Sequence, residues 1–281
     1  MSHKIIKGNE WRLDGGVMFG NAPKSLWTRW VEPDDMNRVK MASNCLLVQN
    51  DDKTVLIDAG ISPFMDPKIA DRYGIQGSTN ELIENLAAEG ISCDEVDYVI
   101  LTHVHFDHIG GLMPVWPDIK EPDSELHFKN AIIVLNKRQF ERAFQPHPRD
   151  RASYFGDILT RIKDCGRLML LDDGEQIPEL ESFITIETSD GHTPGLMMPL
   201  VKDGDDTIFY PSDLISGAPW VHLPIVTGLD RAPEQLIDEK RTYLDRAIEG
   251  DWVVVFDHDA TTPCAKIAFD EEKKRYLASI D

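Results

Sequence analysis

Four shortages narrow the field before any motif is considered. No run of about 18 apolar residues occurs, so no membrane-spanning helix is expected. The opening residues, MSHKIIKGNEWRL, lack the apolar core of a secretory signal, which makes the cytoplasm the default location. Cysteine is sparse: Cys45, Cys93, Cys165 and Cys264 are widely spread with no CxxC pair, so reduced, mostly buried thiols are expected rather than disulfides. Positive charge is short as well, with 29 Lys and Arg against 49 Asp and Glu and a net charge of −20. DNA and RNA need basic surface, so nucleic acid is set aside as a partner. A neutral or cationic small-molecule substrate fits better, although a metal site reverses the sign locally.

What the chain does have is a concentration of histidine. The stretch THVHFDHIGG, Thr102 to Gly111, places His103, His105, Asp107 and His108 within six residues. It follows the apolar run Tyr98-Val99-Ile100-Leu101 and ends in Gly110-Gly111, which is the pattern of a buried strand running into a loop. Residues 103 and 105 lie two apart and project the same way if the turn is extended. Asp107 and His108 follow where the chain bends, so one loop offers parts of two coordination spheres. The glycines then let the backbone pass close to the metals.

Along the rest of the chain, 10–40 carries Trp11, Met18, Phe19, Trp27 and Trp30 among Gly and Pro without a clean period. An irregular aromatic arm over 1–43 is expected. Its apolar residues either pack against the sheet, wall a substrate pocket or form the contact of a homodimer. Strands are expected at Asn44–Gln49 and Thr54–Ile57, joined by the turn Asn50-Asp51-Asp52-Lys53. Asp58, closing the second strand, is either a helix cap or turn former or an acceptor that orients a metal-bound histidine. A helix over Ser78–Glu89 presents Leu82, Ile83 and Leu86, capped by Ser78 or Thr79 and stopped by Gly90. Strand Tyr98–Leu101 delivers the histidine loop, and a short helix opens from Leu112. The insertion over 112–165 starts as a loop with Pro114, Trp116, Pro117 and Pro122. It continues through a strand at Ala131–Leu135 and helices at Arg138–Phe144 and Ala152–Ile162. It is aromatic and either covers the site or simply packs near it.

Further strands are expected at Leu168–Leu171, Phe183–Glu187, Met197–Val201, Thr207–Tyr210 and Trp252–Phe256, a helix at Ala232–Ile248 and a final charged helix at Asp270–Ile280. Three of these strand ends carry more polar signals: His192 in SDGHTPG, Asp213 in PSD and His258 in DHD. A lone histidine is more often a structural residue than a ligand. With the first cluster, however, the set reaches five imidazoles and two carboxylates, which suits two borderline metal ions with a shared water.

THVHFDHIGG, SDGHTPG, YPSDLI and FDHD, in this order, resemble the metallo-β-lactamase superfamily over about 44–269. The resemblance implies an α/β chain folded as a four-layer αββα sandwich, a single domain over 1–281, with metals at one edge between the sheets. It also implies that His103, His105 and His192 hold one metal, that Asp107, His108 and His258 hold the other, that Asp213 bridges them and that Asp58 supports. Aspartate at 213 looks like the hydrolase branches, since the true β-lactamases usually carry cysteine there. Size, charge and the Asp213-to-His258 interval look most like the N-acyl-homoserine lactonases and pyridoxolactonases. The chain departs from the lactonases at Ser216, where they often place a tyrosine; Tyr210 lies three residues before Asp213 instead.

The expected chemistry is hydrolysis of a lactone or ester carbonyl by hydroxide bridging two divalent ions, zinc or else iron or manganese. Asp107 is either a metal ligand alone or also the catalytic proton carrier. Phosphotriesterase and glyoxalase II-like thioester hydrolysis are the neighbouring alternatives. A flavodiiron-type oxidoreductase characteristically has glutamate where His105 stands, and a nuclease would need basic surface.

Overall fold

The computed structural model describes residues 1–50, 52–121 and 124–279. Asp51 of the expected turn, Pro122 of the expected loop and Ile280 of the expected tail helix lie outside the described residues. No helix among the described residues is long and apolar enough to cross a membrane.

The chain begins with β1 (Ser2–Lys7), β2 (Trp11–Asp14) and β3 (Arg38–Met41). It forms two compact units. The first, residues 1–11 and 42–172, is built on a six-stranded sheet that adds β4 (Asn44–Gln49), β5 (Thr54–Ile57), β6 (Tyr98–Ile100), β7 (Ile132–Asn136) and β8 (Leu168–Leu171) to β1. In the order β1-β4-β5-β6-β7-β8 the first two pairings are antiparallel and the last three parallel. Parallel neighbours need crossovers: the helix Glu81–Ala88 lies between β5 and β6, the helices Lys137–Phe144 and Gly156–Asp164 both lie between β7 and β8, and β6 reaches β7 through the short helix Phe106–Ile109 and 3-10 turns. The strands β5, β6 and β7 therefore end on one side, where side chains of loops gather.

The second unit, residues 12–41 and 173–281, holds β9 (Ile184–Ser189), β10 (Leu196–Asp203), β11 (Asp206–Phe209), β12 (Val253–Val255), β13 (Cys264–Asp270) and β14 (Arg275–Ser279). The strand order is β14-β13-β12-β11-β10-β9, antiparallel except for β11 and β12. The helix Pro233–Glu249 buries Leu236, Tyr243, Leu244 and Ala247 in a core with Leu200, Phe209, Val254 and Ile267. By these pairings β9, β11 and β12 all run the same way, and the loops after them carry His192, Asp213 and His258.

Several expectations are corrected. The tail is no helix: β13 and β14 pair antiparallel around a turn in which the Asp270 carboxylate accepts from the Glu272 and Lys273 amides and Lys274 adopts φ 51°. The charged run is that turn, and the flanking residues pair as strands. The arm over 1–43 is not irregular throughout. β1 pairs with β4, β2 with β3, and Gly15–Met18 and Lys24–Trp27 are short helices. Trp11, Met18, Phe19 and Trp27 are buried, with Phe19 stacked on Trp27 at 5.3 Å. The first crossover helix starts later than expected, with Asn80 at its N-cap. From Leu112 no α-helix opens, because Gly110–Leu112 is a single 3-10 turn. The four cysteines are free, but only Cys45 is fully buried.

Candidate metal-binding site

The first unit contributes a loop held from below by a strained aspartate. Asp58, just past β5, adopts φ 57°, a conformation side chains other than glycine rarely take. Its Oδ1 accepts from the Thr102 amide at 2.7 Å and its Oδ2 from the Thr102 hydroxyl at 2.8 Å. That hydroxyl has one proton, given to Asp58, so at 3.1 Å it accepts from His103 Nδ1. Asp58 Oδ2 also lies 2.9 Å from His108 Nδ1. Both imidazoles are thereby set with hydrogen on Nδ1, which leaves Nε2 as the nitrogen able to bind a cation. Of the two readings of Asp58, the geometry matches the orienting acceptor.

Around this support the His103 and His105 rings lie 4.4 Å apart, with His103 Nε2 2.9 Å from His105 Nδ1, and the His103 and His108 rings lie 4.0 Å apart. Asp107 lies in the first turn of the short helix Phe106–Ile109, and its Oδ2 stands 3.7 Å from His108 Nε2. All four are buried, Asp107 least so at 8% exposure, which makes it the member of this group nearest to water. The glycines after the loop allow a close approach of backbone to backbone. A Cβ on Gly111 would collide with the Ala59 carbonyl, and the Gly111 amide donates to Gly60 O at 3.1 Å. They dock the histidine loop against the Asp58 turn.

The insertion approaches this loop. The Tyr154 ring meets His105 at 5.0 Å and Phe155 meets Phe106 at 5.6 Å. Tyr73, unremarked in the sequence, packs 4.6 Å from Phe106, and burial and then the Asp107 carboxylate hold its phenol above the usual value. It stays protonated at neutral pH and able to donate.

In the second unit Asp213 divides its carboxylate. Its Oδ2 lies 3.0 Å from His192 Nε2 and its Oδ1 3.2 Å from His258 Nε2, with the Ser216 hydroxyl donating to Oδ1 at 3.0 Å. Ser216 thus orients the carboxylate, while Tyr210 is buried in the core. Ser212 beside it has φ 50°, so strain again sits next to the polar cluster. On its other side His192 Nδ1 lies 2.7 Å from Asp230 Oδ1. Burial alone would lower the His192 pKa, but Asp213 and Asp230 raise it to about 10. Asp213, Asp257 and His258 offer donor atoms within 4.8 Å of one another. Asp257, buried with Oδ2 3.6 Å from His258 Nε2, was overlooked beside its neighbour.

The His192 loop is held by the helix Pro233–Glu249. The Glu239 carboxylate accepts from the Ser189 hydroxyl at 2.5 Å and the Gly191 amide at 3.0 Å. Gly191 is a glycine of close approach, since a Cβ there would lie 2.5 Å from Leu236 Cα. Asp230 and Glu239 carried no motif; the only local sign of Asp230 is an acid placed just before a helix it does not cap.

The donor set fits divalent cations. Imidazoles have their Nδ1 atoms held by Asp58 and Asp230, and one carboxylate is shared between two imidazoles, which is the arrangement a metal replaces by displacing protons.

Comparison with known proteins agrees with this chemistry. The acyl-coenzyme A thioesterase MBLAC2 of Bos taurus is 25% identical over 217 residues, covering 74% of this chain and 72% of that protein. A structure described as a probable metal-dependent hydrolase from Staphylococcus aureus superposes with a TM-score of 0.85 at 25% identity, covering 100% of this chain and 97% of the other. The dizinc quorum-quenching lactonase AidC shares the fold, with a TM-score of 0.74, 19% identity and coverage of 99% and 94%. Residues 38–258 match the metallo-beta-lactamase superfamily, and the chain belongs to that superfamily of metal-dependent hydrolases.

Proposed function

We propose that this chain is a dinuclear metal hydrolase that opens a small lactone or ester. The observation that carries the reading is the Asp213 carboxylate, one oxygen on His192 and the other on His258. In this reading His103, His105 and His192 hold one divalent ion and Asp107, His108 and His258 the other, with Asp213 common to both. Zinc suits these ligand types, as do iron and manganese. Two cations held there would supply Lewis acidity, lowering the pKa of a water they share and polarising the carbonyl under attack.

The chain's own residues do the rest. Asp58 and Asp230 fix the imidazole tautomers, and Ser216 keeps the Asp213 carboxylate in one orientation. Asp107 retains contact with solvent and carries the proton released when water adds to the carbonyl. Tyr73, kept protonated close to Asp107, donates a hydrogen bond to the oxygen that gains charge. Next to this loop lies an open cleft of about 910 Å³, lined by Phe64, Ile69, Trp116, Tyr154, Phe155 and Ile158, which suits an apolar acyl chain.

A thioester is the second reading, favoured by the named activity of the bovine relative. The test is a hydrolysis panel on metal-loaded protein: an acyl-homoserine lactone, an aryl ester, an acyl-coenzyme A, a glutathione thioester, a phosphotriester and a β-lactam. The lactone or ester is expected to turn over with the highest kcat/KM. A thioester ahead of both moves the assignment to the second reading, and hydrolysis of the phosphotriester alone rejects both.

A further inference from the structure

The net charge of −20 favours a neutral or cationic substrate, yet the second unit contains a cleft of the opposite sign. Its volume is about 500 Å³, and Arg29, Lys40, Arg275, Trp30, Trp220 and His258 are on its walls. That size suits one small ligand. One carboxylate, Asp259, shares the lining, but its oxygens are already engaged. Oδ2 accepts from the Ala218 amide at 2.9 Å, and Oδ1 accepts from the Thr261 amide and hydroxyl at 2.9 Å each and from the Thr262 amide at 2.8 Å. Three basic side chains stand against this one carboxylate, so the lining keeps an excess of positive charge. The Nε of Arg275 is buried with no hydrogen-bond partner among the described residues, a donor that a ligand oxygen would satisfy.

The walls are held by specific contacts. Trp220 stacks on Phe19 at 4.6 Å, and its indole nitrogen donates to Met18 O at 2.9 Å. Lys240, fully buried, donates to the carbonyls of Trp220 at 3.0 Å, His222 at 3.4 Å and Ile225 at 2.6 Å, pinning the loop from behind. Trp30 meets the His222 ring edge-on at 5.9 Å. Burial, then Arg275 and Lys240, keep that imidazole below its usual pKa, so it adds no charge of its own at neutral pH.

We infer that this cleft binds an oxyanion, a carboxylate or a phosphate, carried by the substrate away from its scissile bond. Arg29 and Arg275 supply planar forks that match such groups, and the indoles flank the connecting atoms. His258, on the same wall, places the anion close to a residue assigned to the metals. The substrate class is then an ester or thioester with an anionic tail. This step rests on the hydrolase reading, while anion binding itself does not.

Two measurements test it. Indole emission of the metal-loaded protein is titrated with glutarate and, separately, with inorganic phosphate. Saturable change is expected with at least one, and which anion binds more tightly decides between carboxylate and phosphate. The double variant Arg29→Gln/Arg275→Gln is expected to weaken that binding about tenfold or more. Hydrolysis of 4-nitrophenyl butyrate is compared with that of the mono-4-nitrophenyl ester of glutarate. The charged ester is expected to lead by about tenfold in kcat/KM, with the ratio falling towards one in the double variant. Anion titrations identical in variant and wild type, or no preference for the charged ester, overturn the inference while leaving the hydrolase intact. Anion binding lost in the variant without hydrolysis of either ester supports the site and counts against the reaction.

Discussion

His192 Nδ1 lies 2.7 Å from Asp230 Oδ1, two buried side chains 38 residues apart joined by a short charged hydrogen bond. The other Asp230 oxygen accepts from the Thr227 amide at 2.7 Å, so the carboxylate is fixed before it meets the imidazole. A ring held this way presents Nε2 in one direction. Asp230→Asn keeps the shape but loses the charge, and metal affinity is expected to fall about 10–100-fold. Competition with a chromogenic chelator measures it. Wild-type affinity in the variant would remove Asp230 from the account.

Lys240 sets a pH dependence. Burial pulls its pKa from 10.5 to about 7, against the favourable pull of Asp230. The unfolded chain thus binds more protons than the folded one between those values, so stability rises as pH increases through this window. Below about 7 both states are protonated and the penalty is fully present. Comparing wild type with Lys240→Met by urea unfolding, the wild-type advantage is expected to grow by roughly 2 kcal/mol between pH 6 and pH 9. An advantage that stays flat or shrinks over that range contradicts this placement of Lys240.

Gly191→Ala tests the close approach under the His192 loop. The added methyl meets the Leu236 backbone, which belongs to a 17-residue helix and does not yield like a side-chain tip. A loss of about 1–3 kcal/mol in unfolding free energy is expected. Wild-type stability would show that the loop relaxes freely.

How much was legible beforehand depended on whether the cue was local. β4, β5 and β8 have the bounds that their apolar runs and flanking turns indicate, and the helix Pro233–Glu249 differs by one residue at each end. Each is defined by its own hydrophobic pattern. The tail hairpin was missed because its charged turn reads as helix-forming composition, and only pairing with β13 decides otherwise. β1 was missed because edge strands show a weak pattern until they find a neighbour. At the site, the histidines and Asp213 stand out as polar residues at strand ends. Asp230, Glu239 and Tyr73 act through tertiary contacts, which nothing in their own neighbourhoods announces.

Ser216→Ala separates orientation from binding. Removing the hydroxyl that donates to Asp213 Oδ1 frees that carboxylate to turn. Turnover is expected to drop about fivefold to tenfold with a smaller change in KM, in line with the loss of one charge-assisted hydrogen bond. A rise in KM at unchanged kcat would instead place Ser216 in substrate binding.

The central claim is that one carboxylate joins two metal centres, and counting metal in Asp213→Ala tests it most directly. Metal analysis of saturated, desalted protein is expected to give two ions per chain in the wild type and fewer than two in the variant, with most turnover lost. Two tightly held ions and full activity in Asp213→Ala, or a single ion in the wild type, would contradict it.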